Sequence, residues 1–223
     1  MSRIDLRFLT IGLILIIMDI PSVQSAQSTG DLPKQFRSIF GLMAGQISFE
    51  QVENKLGKAD WWETDSELKR AQYAKSMCYQ ATNGTLLVVT TDSPDKGTPV
   101  DIIELVAPGS RYPRAGRCLS IAREKTIQTA GGLKTGLTFA QVKQLLGKPQ
   151  QSASGQYTWH WDAYSRIEPS EKSYDYWNSR RVECFEGMEP FYHAESSIVI
   201  RFKKGMADRI LLERRESTCG EYN

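Results

Sequence analysis

The sequence predicts an α+β protein made of two tandem repeats, each a short capped helix packed on an antiparallel β-sheet, with one disulfide per repeat. Three observations carry that expectation. The eleven-residue segment SFEQVENKLGK at 48–58 returns as TFAQVKQLLGK at 138–148 with six identical positions. Strand-like runs follow each copy. Four cysteines lie two to a half, Cys78 and Cys118 in the first and Cys184 and Cys219 in the second.

Taken in order, the first 25 residues read as a secretory signal peptide. Arg3 and Arg7 precede a largely apolar run from Phe8 to Met18, Pro21 breaks it, and small residues ending at Ser25 offer a cleavage point before Ala26. That run is too short to cross a hydrocarbon core of ~30 Å as a helix. The expected mature chain is therefore periplasmic and without stable membrane insertion. It divides into a first unit over 26–122 and a second over 123–223. The signal carries Arg3, Arg7, Asp5 and Asp19, so 28 basic and 26 acidic residues become 26 and 24 and the net charge stays +2. A near-neutral chain lacks the strongly basic balance of a nucleic-acid binder.

Each repeated segment is a complete short helix. Ser48 with Gln51, and Thr138 with Gln141, have capping-box spacing: the hydroxyl accepts from the third helical amide while the glutamine reaches back to the cap. Phe49, Val52 and Leu56 share one helical face, as do Phe139, Val142 and Leu146. Ile47 and Leu137 sit where a hydrophobic staple would. Gly57 and Gly147 stop the helices in a left-handed conformation that costs glycine nothing. Burying three apolar side chains gains roughly 5 to 8 kcal/mol. Ordering about ten backbones costs at least that much. The apolar faces therefore need a sheet to dock on.

The strands follow. In the first unit SMCYQ (76–80) turns through Asn83-Gly84, a strong hairpin signal, into TLLVVTT (85–91), and VDIIELVA (100–107) comes after a polar loop. In the second, RVECFE (181–186) leads through the loop GMEPFYHAE into SSIVIRF (196–202), turns at Lys203-Lys204-Gly205 and continues as DRILLERRE. Ile198, Ile200 and Phe202 alternate with mixed residues, so one sheet face is apolar. Cys78 and Cys184 then occupy corresponding strands, while Cys118 and Cys219 each follow a last strand. The expected bridges are Cys78–Cys118 and Cys184–Cys219, with the other two connectivities still open. An oxidising compartment favours disulfides, and no C-x-x-C pair supports a metal site.

The spacing Gly136-x-Thr138-x-x-x-Val142-x-x-x-Leu146-Gly147, with its looser counterpart Gln46 to Gly57, resembles the helical signature of the β-lactamase inhibitor protein family. It is also similar to that of the small outer-membrane lipoproteins of β-barrel assembly. The two-unit, non-lipidated, cysteine-bearing layout is more like the inhibitors, best over 130–223 and loosely over 41–107. The resemblance implies two units whose sheets join into a concave surface on which aromatic side chains clasp a target enzyme. The chain departs from the family in lacking a cysteine just after each helix.

The candidate partner-binding residues are Trp61 and Trp62 after the first helix, Tyr164, Tyr174, Tyr176 and Trp177 in the long polar segment 162–181, Phe191 and Tyr192 in the next loop, and Arg201 on the mixed sheet face. Aromatics and arginine anchor protein interfaces, and long loops are often functional. Tyr157, Trp159 and Trp161 alternate and are expected to pack on a core. No catalytic residue, cofactor or metal ligand is assigned. G-x-S-x-G and H-E-x-x-H are absent, and GGLKTG lacks the phosphate-loop spacing. His160 beside Asp162 or Glu168 is the nearest to an acid–base pair, but a histidine between two tryptophans suits packing or a surface position better. The expected function is an exported protein-binding module that blocks an enzyme or a toxin delivered by a competitor. The alternative is a soluble envelope-assembly or maintenance factor.

Overall fold

The structure, a computed structural model, describes residues 28–63, 75–91, 99–112, 115–122, 124–166 and 189–220. Side chains of 28, 29, 63, 165, 166, 189–192 and 216–220 are outside that description. The signal-peptide region and Tyr174, Tyr176, Trp177 and Cys184 lie outside the described residues.

The architecture is α+β with a mostly antiparallel sheet. Strand β1 (Ser28–Thr29) leads to a one-turn helix α1 (Lys34–Arg37) and a small hairpin, β2 (Ser38–Ile39) and β3 (Leu42–Met43). Helix α2 (Phe49–Leu56) follows, then β4 (Trp61–Glu63), β5 (Lys75–Gln80), β6 (Leu86–Thr91) and β7 (Ile102–Val106). After the short strand β8 (Leu119–Ser120) come helix α3 (Phe139–Leu146), β9 (Gln151–Ala153), β10 (Gln156–Arg166), β11 (Glu189–Lys203) and β12 (Met206–Gly220).

Ten strands form one sheet in the order β1-β10-β11-β12-β7-β6-β5-β4, with β8 also on β5 and β9 also on β10. The last strands of the two halves, β7 and β12, meet antiparallel in the middle. One register row, Trp159–Ile198–Leu212–Ile103–Val89–Met77, therefore runs across both halves. Every side chain in it is at most 2% exposed. The next row, from Tyr157 through Ile200, Ile210, Leu105 and Leu87 to Tyr79, joins the same core. Helices α2 and α3 close this side, with Phe49, Val52 and Val142 buried and Leu56, Phe139 and Leu146 packed against them.

Both helices carry the expected capping boxes. The stop glycines refine the expectation: Gly57 has φ 99°, ψ 160° and Gly147 φ 79°, ψ −161°. Positive φ with extended ψ is a region open essentially to glycine alone, so the chain leaves each helix extended rather than in the left-handed turn. Each glycine carbonyl then accepts a bond from the sheet, Gly57 from the Tyr79 hydroxyl at 2.9 Å and Gly147 from Trp159 Nε1 at 3.1 Å. Burial, and secondarily the charge of Glu53, pushes the Tyr79 hydroxyl pKa upward, so it stays a donor. The chain entering each helix is tied to a last strand as well: Val100 N–H donates to Ile47 and Ala207 N–H to Leu137.

Several boundaries differ from the sequence expectation. Residues 189–195 are strand, not loop, because β11 pairs with β10 as far as Phe191 opposite Arg166. The first five residues of the polar segment 162–181 likewise belong to β10. Long-range pairing gives these polar residues strand conformation that composition alone does not reveal. β5 and β10 each receive the short strand after a helix (β4 or β9) on one edge. The expected strand 181–186 with Cys184 lies outside the described residues. The hairpin β2–β3 and helix α1 were not anticipated. Gly131 is needed there, since a Cβ would stand 2.3 Å from Phe36.

The bridge Cys78–Cys118 is present. Cys219 lies in β12, but its side chain and Cys184 are outside the described residues, so the second expected bridge has no structural account.

Candidate functional site

The sheet face opposite the helices is covered unevenly. In the first half Cys78, Leu86, Val88 and Val106 form a small cluster beneath Tyr112, Ala115 and Cys118, from the segment after β7. Asp208 and Arg209 on β12 hold that cover. The buried Asp208 carboxylate accepts from Ser110 and from Arg201, and the Arg209 guanidinium lies 5.7 Å from the Tyr112 ring centre. Glu104 stands 3.3 Å from Arg209.

The two carboxyls respond oppositely to this setting. Burial tends to raise the pKa of Asp208, but the Ser110 and Arg201 bonds outweigh it and the net shift is downward. Burial raises Glu104, and Arg209 and Arg201 offset this only in part. A depressed carboxyl contributes stability above its unfolded pKa, near 3.9, and loses it as pH falls through the lower folded value. A raised one contributes below its unfolded pKa and loses that contribution as pH rises through the higher folded value. Asp208→Asn should therefore cost about 1 kcal/mol at neutral pH, with the deficit closing in acid. Glu104→Gln should be neutral or stabilising at pH 7. Urea midpoints from pH 3 to 8 test both, and an Asp208→Asn deficit that persisted unchanged at pH 3 would contradict the assignment.

In the second half the same face of β10, β11 and β12 has no described segment across it. Thr158, Val199 and Leu211 share a register row and are all partly exposed. Farther along the strands, His160, Asp162 and Tyr164 alternate on β10, facing Ser197, Glu195 and His193 on β11. Both histidines of the chain converge here on one carboxylate. His160 Nε2 lies 3.0 Å from Asp162 Oδ2, and His193 Nε2 3.4 Å from Oδ1. The Tyr164 and His193 rings stack at 4.3 Å and 7°. Tyr164 is nevertheless 67% exposed, the largest exposure among the big apolar side chains described. Glu213 accepts from Ser197 and pairs with Arg215 at 3.3 Å. Among the described residues no group of three or more His, Cys, Asp or Glu side chains is arranged to hold a metal ion.

The sequence candidates do not gather at one point. Trp62 and Arg201 share the open-face side with Tyr164, but at three separate places. Trp62 packs on the disulfide cluster. Arg201 pairs with Asp208. Tyr164 is eight register positions from Arg201, roughly 26 Å along the strand. Trp61 is on the helix side of edge strand β4, 44% exposed, with the Lys75 ammonium 4.2 Å from its ring centre. Phe191 and Tyr192 lie in β11 with side chains outside the described residues, as are Tyr174, Tyr176 and Trp177. The expected packing of Trp159, with Tyr157 and Trp161 beside it, is seen.

What sequence reasoning missed is His193 and Glu195; it weighed His160 beside Asp162 but set the pair aside as packing or surface. Period-two spacing of His160, Asp162 and Tyr164 was the available signal. It becomes visible only once β10 is known to continue to Arg166. Among the described residues no helix is long and apolar enough to cross a membrane. No known protein family, curated protein or solved structure matches this chain.

Proposed function

We propose that the protein is an exported, periplasmic protein-binding module that blocks an enzyme or toxin, with the open face of β10–β12 as its contact surface. One observation carries this best. The helices bury one side of the sheet, the disulfide-tethered segment covers the other side in the first half, and three long strands in the second half present a mixed face with exposed Tyr164 and partly exposed Val199 and Leu211. Such a face, apolar at its centre and polar around it, has the anatomy of a protein interface.

Internal duplication fits the same reading. Each helix-stop glycine meets an aromatic donor from the first long strand of its own half. The strand ahead of each half pairs with the other half: β8 lies parallel on β5, and β1 parallel on β10. A pseudo-twofold pair of units about the β7–β12 junction accounts for both.

The test is affinity capture with the mature chain, from periplasm and from competitor-exposed cells. Val199→Arg places a long charged side chain at the centre of the face and should reduce capture at least about tenfold, the effect of ~1.4 kcal/mol, with an unchanged melting curve. Capture unaffected by Val199→Arg would exclude this face. Recovery of outer-membrane assembly subunits in place of an enzyme would exclude the inhibitor reading.

A further inference from the structure

Resting on that proposed binding role, we infer that the end of this face nearest the β11–β12 turn receives a carboxylate side chain of the protein partner, with Arg201 as its anchor. The sheet register carries the assignment. Arg201 on β11 and Arg209 on β12 stand directly opposite each other, on the side of the strands that also presents Val199 and Leu211. Like charges in that position destabilise a sheet unless each is compensated. Here each has one carboxylate: Asp208 accepts from Arg201, and Glu104 lies 3.3 Å from Arg209 Nε.

The two arginines differ in what they still offer. Arg209 is 28% exposed and lies toward the Tyr112 ring, so it holds the cover of the first half. The Arg201 side chain is 45% exposed, while its carboxylate partner is 7% exposed and also bonded to Ser110. Asp208 therefore fixes the Arg201 guanidinium from the buried side, through Nη2. A guanidinium carries five N–H donors in a planar fork, which one carboxylate does not exhaust. An arginine held in this way takes a second carboxylate at a reduced cost in side-chain entropy.

Positive charge around it is in excess. Lys203, two residues beyond Arg201, is exposed, as are Lys204 at the turn and Arg111 next to Ser110. Burial tends to raise the Asp208 pKa, and the lowering contributions come from Ser110, Arg201 and then Lys203, so the Lys203 charge reaches the same carboxylate. On β7, residues 107–112 and the turn end of β11 and β12 (201–209), the cations are Arg111, Arg201, Lys203, Lys204 and Arg209, and the carboxylates are Glu104 and Asp208. Five against two leaves a surplus of three positive charges. The next carboxylate on this side of β12, Glu213, lies beyond Leu211 and pairs with Arg215 at 3.3 Å.

A protein carboxylate fits this end better than a polyanion does. The surplus is confined to one end, and Glu213 and Glu195 farther along the strands repel a polyanion lying across the face. Val199 and Leu211 adjoin the basic end, so a partner with an acidic residue beside an apolar patch meets both features.

The full mature chain can be titrated with the peptide acetyl-Glu-Glu-Leu-Val-amide and, in parallel, with its uncharged counterpart acetyl-Gln-Gln-Leu-Val-amide. NMR follows the Arg201 Nε–H group and the Val199 and Leu211 methyls. The acidic peptide should give a saturable shift at all three residues, with the glutamine peptide at least about tenfold weaker and the difference shrinking as salt rises. Arg201→Gln should abolish the response. Because it also strips a buried carboxylate of a partner, the double variant Lys203→Glu with Arg111→Glu, which keeps Arg201 and Asp208, is the second arm and should weaken binding at least about tenfold. Lys143→Glu, exposed on α3 across the sheet, should leave the response intact. Equal responses to the two peptides, or binding unchanged in the double variant, would overturn the carboxylate site. Tighter binding to phosphatidylglycerol vesicles, lost in the same variants, would overturn it in favour of a membrane surface. Partner capture separates this site from the reading it rests on. If the acidic peptide gives no response yet Val199→Arg reduces capture, the carboxylate site fails and the binding module stands. If the response is present but no face substitution alters capture, the carboxylate site stands and the assigned docking face fails.

Discussion

Replacing Cys78 and Cys118 together by alanine is expected to lower the unfolding free energy by about 4 kcal/mol, the largest single effect foreseen for this chain. The bridge spans 40 residues, and closing a loop of that length removes chain entropy from the unfolded state. It also fastens the segment after β7 over Leu86, Val88 and Val106. Such a small cluster holds its cover weakly by itself, because few apolar contacts oppose the entropy of ordering the segment. Urea denaturation of the double variant, followed by fluorescence of Trp62, which packs on that cluster, should show both the lower midpoint and a looser native environment. A loss under about 1 kcal/mol would mean that the contacts of Asp208 and Arg209 hold the segment without help from the bridge.

The second large effect concerns Arg214. Its side chain is 2% exposed on the helix side of β12, donating to Asp31 at 2.7 Å and to Ser196 at 2.8 Å. Asp31, whose side chain is 25% exposed, is also paired with Arg37 at 2.9 Å. The two partners are thus unequal. Asp31→Ala removes the carboxylate that a buried guanidinium is bonded to, and is expected to cost about 3 kcal/mol. Arg214→Met removes the buried charge and leaves Asp31 with Arg37, so its cost should be clearly smaller, since apolar replacement of a buried ion is often near neutral. Thermal and urea unfolding of the two variants give the order directly. If Arg214→Met proved the more damaging, the role of Arg214 would be packing and not charge compensation. The pair also anchors the segment after β1, which adds to the edge of β10.

Helices α2 and α3 were legible to the residue because everything that defines them is local. Ser48–Gln51 and Thr138–Gln141 close their boxes within one turn, and Gly57 and Gly147 are needed for backbone conformations nearly closed to other residues. The Asn83-Gly84 hairpin and the Lys204-Gly205 turn were legible for the same reason. The far ends of β10 and β11 were not. Residues 162–166 and 189–195 are polar enough to read as loop, and only partner strands supply their hydrogen bonds. His193 and Glu195 were missed at the same place, since they become neighbours of His160 and Asp162 only through that pairing. Tyr164, picked out by its type, is exposed, whereas Trp62, picked out in the same way, packs on the disulfide cluster.

The sequence by itself determined the capped helices, the apolar sheet rows and the two-half plan of helix followed by strands, because each rests on periodicity and end signals within a few residues. The Cys78–Cys118 partnership was its best-placed choice, though only the geometry excluded the other connectivities for those two cysteines. Tertiary structure alone decided that β7 and β12 join the halves into one sheet, that β1 and β8 each complete the other half, and which face the described residues leave uncovered. Those outcomes depend on backbone pairing between residues up to 133 positions apart, as between Ser28 and Trp161. Side chains specify such pairings only weakly, through burial that exists once the sheet has formed.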